Sequence, residues 1–207
     1  MEIIIHRVNK IKDLKKIPYN YGVEIDIRSY GSNLILNHEP YTNGDNLKNY
    51  LKYYNHGTLI LNIKEAGIED DVIKLVKKEK IDSYFLLDVE MPYLYNSSLH
   101  SNKNIAVRFS EYENILLSKF FQKKIKWIWI DTVTKLPINT LNLKTIKKFK
   151  SCLVCPERWD RKQDIIKYFK KLKKLNFFPN AVMTSKNSSD IWNSLLLKEK
   201  SINNTFD

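Results

Sequence analysis

Three short stretches near the start of the chain carry side chains suited to chemistry: His6-Arg7, Glu24-x-Asp26 and His38-Glu39. The middle one reads Val23-Glu24-Ile25-Asp26-Ile27-Arg28. As a strand, with its period of two, it puts Glu24, Asp26 and Arg28 on one face and Val23, Ile25 and Ile27 on the other. Two carboxylates two residues apart on one strand offer oxygen ligands to a single hard divalent cation. Histidine titrates close to neutrality, so His6 and His38 are suited to moving protons. A purely structural reading stands beside this one, in which Glu24–Arg28 or Asp26–Arg28 are ion pairs bracing an interior. His56, beside Gly57, and His100, in a polar loop, read as structural hydrogen-bonding histidines. What separates His6 and His38 from them is position, since both follow apolar strands and flank the acidic pair.

The elements that must hold these residues alternate along the chain. Candidate strands run over Glu2–His6, Val23–Arg28, Leu59–Lys64, Tyr84–Glu90, Ile105–Arg108, Trp127–Asp131, Cys152–Cys155 and Ala181–Thr184. A further short strand, Leu34–Asn37, follows a turn-like Ser-Tyr-Gly-Ser-Asn and implies a hairpin. Between strands, helical stripes are formed by Val72, Ile73, Leu75 and Val76, by Ile115, Leu116, Phe120 and Phe121, and by Ile165, Ile166, Phe169 and Leu172. Strands alternating with helices imply parallel pairing with crossovers. Eight of them in 207 residues fit a compact α/β fold, a (β/α)8 TIM-type barrel at the low end of its size range. The alternative is an open doubly wound sheet, but Arg7-Val8-Asn9 stand after the first strand where a Gly-rich phosphate loop is expected. In a barrel the apolar strand face lies under the helices, so the charged face of the second strand points inward. Charges buried there need partners or a metal.

No repeat, linker or low-complexity block divides the chain, so residues 1–198 read as one barrel domain, followed by a polar tail over 199–207. No apolar run approaches a membrane span, and the N-terminus lacks the h-region of a secretory signal; a cytoplasmic address is the default expectation. Lys and Arg number 35 against 23 Asp and Glu, a formal charge of +12. The excess is lysine, scattered through segments that are also rich in isoleucine and asparagine, which reflects composition more than a nucleic-acid partner. No nucleic-acid-binding motif or aromatic platform accompanies it, so no specific nucleic-acid partner is expected. Cys152 and Cys155 form C-x-x-C within a strand, where side chains three apart face opposite ways. They cannot share a metal or a disulfide and read as buried thiols.

Taken in order, H-R, then E-x-D some eighteen residues later, then H-E about a dozen further on, the motifs resemble the glycerophosphodiester phosphodiesterase family. That family is one of the phosphatidylinositol-phospholipase-C-like barrels, and the likeness is clearest over residues 2–64. The resemblance implies that His6 and His38 are the general acid and base, exchanging a proton with the attacking and leaving oxygens. It implies that Glu24 and Asp26 hold Mg2+ or Ca2+, which polarises a phosphoryl oxygen, and that Arg7 donates to the same phosphate. It also implies a small phosphodiester substrate, which a basic surface would attract. In the family a substrate hydroxyl can attack first, giving a cyclic phosphate that water then opens.

Departures from the family pattern narrow the expectation. The family's third strand carries E-x-K, whereas this chain reads Asn62-Ile63-Lys64. Lys64 keeps the phosphate-binding position, and Asn62 brings an amide oxygen to the metal in place of a carboxylate, so metal affinity should fall. Asp88 or Glu90 would compensate if either reaches the site. Val8 replaces the glycine of H-R-G, the E-N-T segment is absent, Met183-Thr184-Ser185 stand where T-D is usual, and the substrate-covering insertion is missing. Arg108 is a further phosphate-binding candidate, or equally the partner of Asp88 or Asp131. Asp131, Glu157 and Arg158 are placed at the barrel mouth, with Tyr93 and Tyr95 above it. Trp127 and Trp129 share a strand face and read as packing between barrel and helices. The resulting expectation is metal-assisted phosphodiester hydrolysis. The alternative is a weakened barrel that binds a phosphorylated sugar or lipid head group, for example in surface polysaccharide biosynthesis.

Overall fold

The computed structural model describes residues 1–100 and 102–203. Ten strands run β1 Glu2–Ile5, β2 Gly22–Tyr30, β3 Asn33–Leu36, β4 Asp45–Asn46, β5 Leu59–Ile63, β6 Tyr84–Leu87, β7 Ala106–Phe109, β8 Trp127–Ile130, β9 Lys150–Val154 and β10 Ala181–Thr184. The helices are α1 Ile11–Leu14, α2 Leu47–Leu51, α3 Glu69–Lys78, α4 Met91–Leu99, α5 Ile115–Phe120, α6 Thr140–Ile146, α7 Asp164–Lys174 and α8 Lys186–Asn203. One 3-10 turn, Pro156–Trp159, precedes α7.

Parallel pairing joins β1 to β2, β2 to β5 and β5 to β6 on one side. On the other side it joins β7 to β8, β8 to β9, β9 to β10 and β10 back to β1. The ring closes between β6 and β7 through a single parallel bridge, Leu86 with Ile105, where the Leu86 N–H donates to the Asn104 carbonyl at 2.9 Å. Eight parallel strands, each followed by a helix, make the (β/α)8 barrel. The hairpin strand β3 pairs antiparallel with β2, turning at Gly31 with φ +60, and the two-residue β4 extends it. The strand expected over Tyr84–Glu90 ends at Leu87, because Asp88 turns into the left-handed region at φ +59 and α4 starts three residues later. The last helix runs past Lys198 to Asn203. No helix among the described residues is long and apolar enough to cross a membrane.

Strand alternation sorts the core into two layers. Ile4, Ile60, Phe85, Leu87, Trp127 and Trp129 belong to the cluster that fills the barrel, and Ile3, Ile5, Val23, Ile25 and Ile27 to the one beneath the helices. Trp127 and Trp129 share a face, as expected, but it is the interior one. Trp127 stacks on Phe85 at 4.4 Å, so the expected packing against helices is corrected. Cys152 falls in the inner layer and Cys155 in the outer, both buried free thiols whose pKa burial pushes up, to about 12 for Cys155. At the base of the barrel Glu2 accepts from the Thr58 N–H at 2.6 Å and its hydroxyl at 2.7 Å. Gly22 makes room there, since a Cβ on it would stand 2.3 Å from the Thr58 carbonyl oxygen.

Two of the three helical stripes pack as expected. Val72, Ile73 and Val76 are buried in α3, and Ile165, Phe169 and Leu172 in α7, though Ile166 faces solvent. In the stripe around α5 only Phe121 is fully buried, whereas Leu116 is 64% and Phe120 51% exposed. The helix ends at Phe120, too soon for an i, i+4 stripe to reach the barrel.

Candidate active site

The C-terminal ends of the strands converge on a cavity of about 180 Å3. Its walls include His6, Arg7, Glu24, Asp26, His38, Asn62, Lys64 and Arg108, so every residue singled out for catalysis, metal or phosphate reaches it. The ends of three neighbouring strands, β1, β2 and β5, with β7 and the hairpin loop, supply them, and strand alternation aims Glu24, Asp26 and Asn62 inward.

Glu24 is 1% exposed and accepts two hydrogen bonds, from the Arg7 N–H at 2.7 Å and from the Asn62 amide at 2.8 Å. Arg7 makes its bond from a left-handed backbone at φ +56, which turns the N–H into the barrel. Burial, then the neighbouring Asp26, raises the Glu24 pKa to about 7. His6 lies 3.9 Å from Glu24, but burial and then Arg158 and Arg7 lower its pKa to about 4. At neutral pH the imidazole is uncharged, so this contact is not an ion pair.

Asp26, equally buried, is clamped by Asn9: the Asn9 amide donates to one carboxylate oxygen at 2.9 Å, and the Asp26 N–H donates to the Asn9 carbonyl at 2.8 Å. Arg7 Nε stands 3.4 Å from Asp26 and Lys64 Nζ 3.3 Å, with Lys64 also 3.7 Å from Asp88. Arg28 does not pair with Glu24 or Asp26. It donates to the backbone carbonyls of His38 and Lys64, both at 3.0 Å, and so ties the hairpin loop to the end of β5. The His38 Nδ1 sits 2.6 Å from Glu39, whose carboxylate this hydrogen bond holds below its usual pKa. With Nδ1 donating to Glu39, the other ring nitrogen is the one left to exchange a proton.

The far wall is differently built. Arg108 donates to Asp88 at 2.6 Å, Asp131 at 2.8 Å and Glu113 at 2.9 Å; burial opposes its charge, yet Asp88 and Glu113 hold its pKa above the ordinary value. It therefore neutralises Asp88 and Asp131, the second of the two roles open to it. Arg158 lines this cavity and an adjoining one of about 510 Å3 that shares His6, and among the described residues its side chain makes no hydrogen bond or ion pair. Glu157 accepts from Thr184 Oγ at 2.7 Å, from the Ser185 N–H and from the Cys155 thiol, which joins β9 to β10. Tyr93 and Tyr95 do not line the cavity: Tyr93 bonds Asp70 at 2.7 Å and Tyr95 stacks on Phe120. The aromatic walls are Trp129 and Trp159, the latter donating to Asp131 at 2.9 Å.

Asn9, bonded to Asp26, and Trp159, in the cavity wall, are the site neighbours that pattern reading missed. Asn9 had a signal, an Asn in the loop after a strand opposite a buried acid, whereas Trp159 sits in an irregular turn that carries none. Among the described residues no three His, Cys, Asp or Glu side chains could hold a metal together. Any cation would need Asn62 as a third ligand. Asp26 Oδ1 and Asn62 Oδ1 are both buried without a hydrogen-bond partner, and both residues line this cavity. Asn62 Oδ1, and Asp26 Oδ1 with Lys64 Nζ 3.3 Å away, are oxygens beside the Glu24 carboxylate that fit a hard cation.

No protein-family model and no curated protein sequence matches the chain. Solved structures do. A protein named as a glycerophosphoryl diester phosphodiesterase from Agrobacterium tumefaciens str. C58 superposes with a TM-score of 0.67 at 9% identity, over 95% of this chain and 99% of that one. A glycerophosphodiester phosphodiesterase from the same organism gives 0.63 at 10% identity, over 91% and 98%. The chain has the fold of the glycerophosphodiester phosphodiesterases. A glycerophosphoryl diester phosphodiesterase of Parabacteroides distasonis extends the likeness, with a TM-score of 0.60 at 10% identity over 88% of this chain and 81% of that one. At such identity the shared feature is the barrel, and the chemistry has to be argued from the cavity.

Proposed function

We propose that the chain is a phosphoric diester hydrolase acting on a small phosphodiester, such as a glycerophosphodiester or a related lipid or sugar phosphodiester. The observation that carries the reading is the meeting of His6, Arg7, Glu24, Asp26, His38, Asn62 and Lys64 on one cavity at the strand ends. The fold shared with glycerophosphodiester phosphodiesterases supports it at a coarser level.

Glu24, Asp26 and Asn62 are the residues that would hold Mg2+ or Ca2+, weakly because only two are carboxylates. A cation bound there supplies Lewis acidity to a phosphoryl oxygen. Arg7 and Lys64 flank Asp26 and neutralise the phosphate from either side. Arg158, without a side-chain hydrogen bond or ion pair among the described residues, replaces Arg108 as the third phosphate-binding cation. His6 and His38 exchange protons: one takes the proton of the attacking hydroxyl and the other gives a proton to the leaving alkoxide. Where the attacking hydroxyl belongs to the substrate, the product is a cyclic phosphate. Water opens it with the two histidines in exchanged roles.

A test is hydrolysis of bis(p-nitrophenyl) phosphate and glycerophosphodiesters with Mg2+, Ca2+ or Mn2+. His6→Ala and His38→Ala should each lose about 10²–10⁴-fold in kcat, and activity surviving both changes would reject the pair. A second reading rests on Asn62, whose amide donates to Glu24 where a metal carboxylate is expected. In that reading the site binds a phosphorylated sugar or lipid head group without turnover. Thermal stabilisation by phosphorylated ligands would then persist in the histidine variants and vanish in Arg7→Ala or Lys64→Ala.

A further inference from the structure

The outer flank formed by α4, α5 and α6 combines exposed apolar side chains with a one-sided charge. Leu116, Leu117 and Phe120 of α5 stand in solvent beside Tyr95 and Leu99 of α4, and Tyr95 stacks on Phe120 at 6.4 Å. Leu141, at the start of α6, is 91% exposed. None of these residues lines the cavity or its neighbour. Residues 114–156 hold nine lysines, no arginine and a single acid, Asp131, which points into the barrel mouth; residues 91–104 hold no acid at all. Lys119, Lys123 and Lys126 are exposed, and Lys124 Nζ lies 3.8 Å over the Phe120 ring.

We propose that this flank docks on an anionic lipid bilayer. Leucine and phenylalanine side chains enter the boundary between head groups and acyl chains, and lysines around them meet the anionic head groups. The chemistry favours lipid over nucleic acid. The apolar members are mainly aliphatic, the two exposed aromatic rings, Tyr95 and Phe120, are stacked on each other, and the flank has no arginine to fork onto phosphates or bases. A second copy of the chain is disfavoured because the same lysine-rich face would meet itself across a two-fold axis. The inference is independent of whether the cavity turns over.

The test is co-sedimentation of the full chain with sucrose-loaded vesicles of phosphatidylglycerol and phosphatidylcholine, against vesicles of phosphatidylcholine alone, at low and high salt. Wild type should bind the mixed vesicles at least about tenfold more tightly than the neutral ones, and less as salt rises. L116S/F120S should lose about tenfold or more, as should the charge-reversed K119E/K123E. Both should keep the wild-type melting temperature, since the changed side chains are exposed. Leu141→Ser repeats the apolar test on a separate helix. Failure of wild type to bind, or binding that L116S/F120S and Leu141→Ser leave intact, overturns the proposal. So does a wild-type dimer in size-exclusion chromatography that L116S/F120S dissociates, or retention of poly(U) at the affinity seen for vesicles.

Discussion

Glu24 and Asp26 show how much a buried carboxylate depends on what surrounds it. Each has a dedicated donor set, Arg7 N–H and Asn62 for one and Asn9 for the other, yet Asn62 Oδ1 has no hydrogen-bond partner and Asp26 Oδ1 has only Lys64 Nζ at 3.3 Å. Asn62→Asp should therefore tighten Mg2+ or Ca2+ by about tenfold. It should also lower the stability of the metal-free protein, because a third buried charge then stands beside Glu24. Calorimetric titration and urea unfolding with and without metal measure both effects; unchanged metal affinity would remove Asn62 from the ligand set. A second residue-scale prediction concerns pH. His56 accepts from the Asn55 N–H at Nδ1 and reaches the Ile17 carbonyl through Nε2 at 3.1 Å, and burial lowers its pKa. The unfolded chain therefore binds a proton that the folded chain resists. Stability from this group is full above about pH 6.5 and is lost as pH falls toward the lowered folded value. Urea unfolding of His56→Gln should fall less steeply with acidification than wild type over that window; equal slopes would contradict it. The acidic pair and both histidines were legible because alternation and strand ends announce them. Arg108 was not, since one sequence cannot tell a phosphate ligand from the partner of three carboxylates.

At the scale of elements, strands read more reliably than helices. A barrel strand must be apolar on its outer face whatever happens inside, so all eight were visible as short runs, with ends shifted by at most three residues. The left-handed turn at Asp88, which cuts β6 short, has no such signature. The helices around a small barrel are short, and α5, at six residues, has too few turns for periodicity to say which face is buried. Leu116 and Phe120 therefore read as core and stand in solvent. The close approach of β2 to the start of β5 at the barrel base was equally silent in the sequence, since Gly22 only becomes informative beside the Thr58 carbonyl. Gly22→Ala should cost about 3 kcal/mol, by analogy with overpacked cores, because the backbone oxygen at 2.3 Å cannot swing away. Chemical denaturation checks this, and a loss below about 0.5 kcal/mol, the range of ordinary surface changes, would show that the two strands are free to separate.

For the whole molecule, one ring of eight parallel strands explains why residues drawn from Arg7 to Arg158 share a single cavity. It also explains why the first forty residues contribute so much, since β1, β2 and the hairpin are neighbours in the ring. The barrel could be read from alternation alone, whereas the phosphodiester chemistry needed the order of H-R, E-x-D and H-E together with the geometry that gathers them. The charge of +12 divides in the same way. Composition accounts for its size, but only the fold shows that one flank collects lysines beside exposed leucines. Cleavage of a phosphodiester in this cavity through His6 and His38 is tested directly by phosphorus NMR of a glycerophosphodiester incubated with the protein and Mg2+ or Ca2+. The diester resonance should give way to a monoester, with or without a transient cyclic phosphate, and His6→Ala and His38→Ala should each leave the diester intact over the same period. A diester signal unchanged by wild-type protein with every metal, or consumed as fast by both variants, would contradict it.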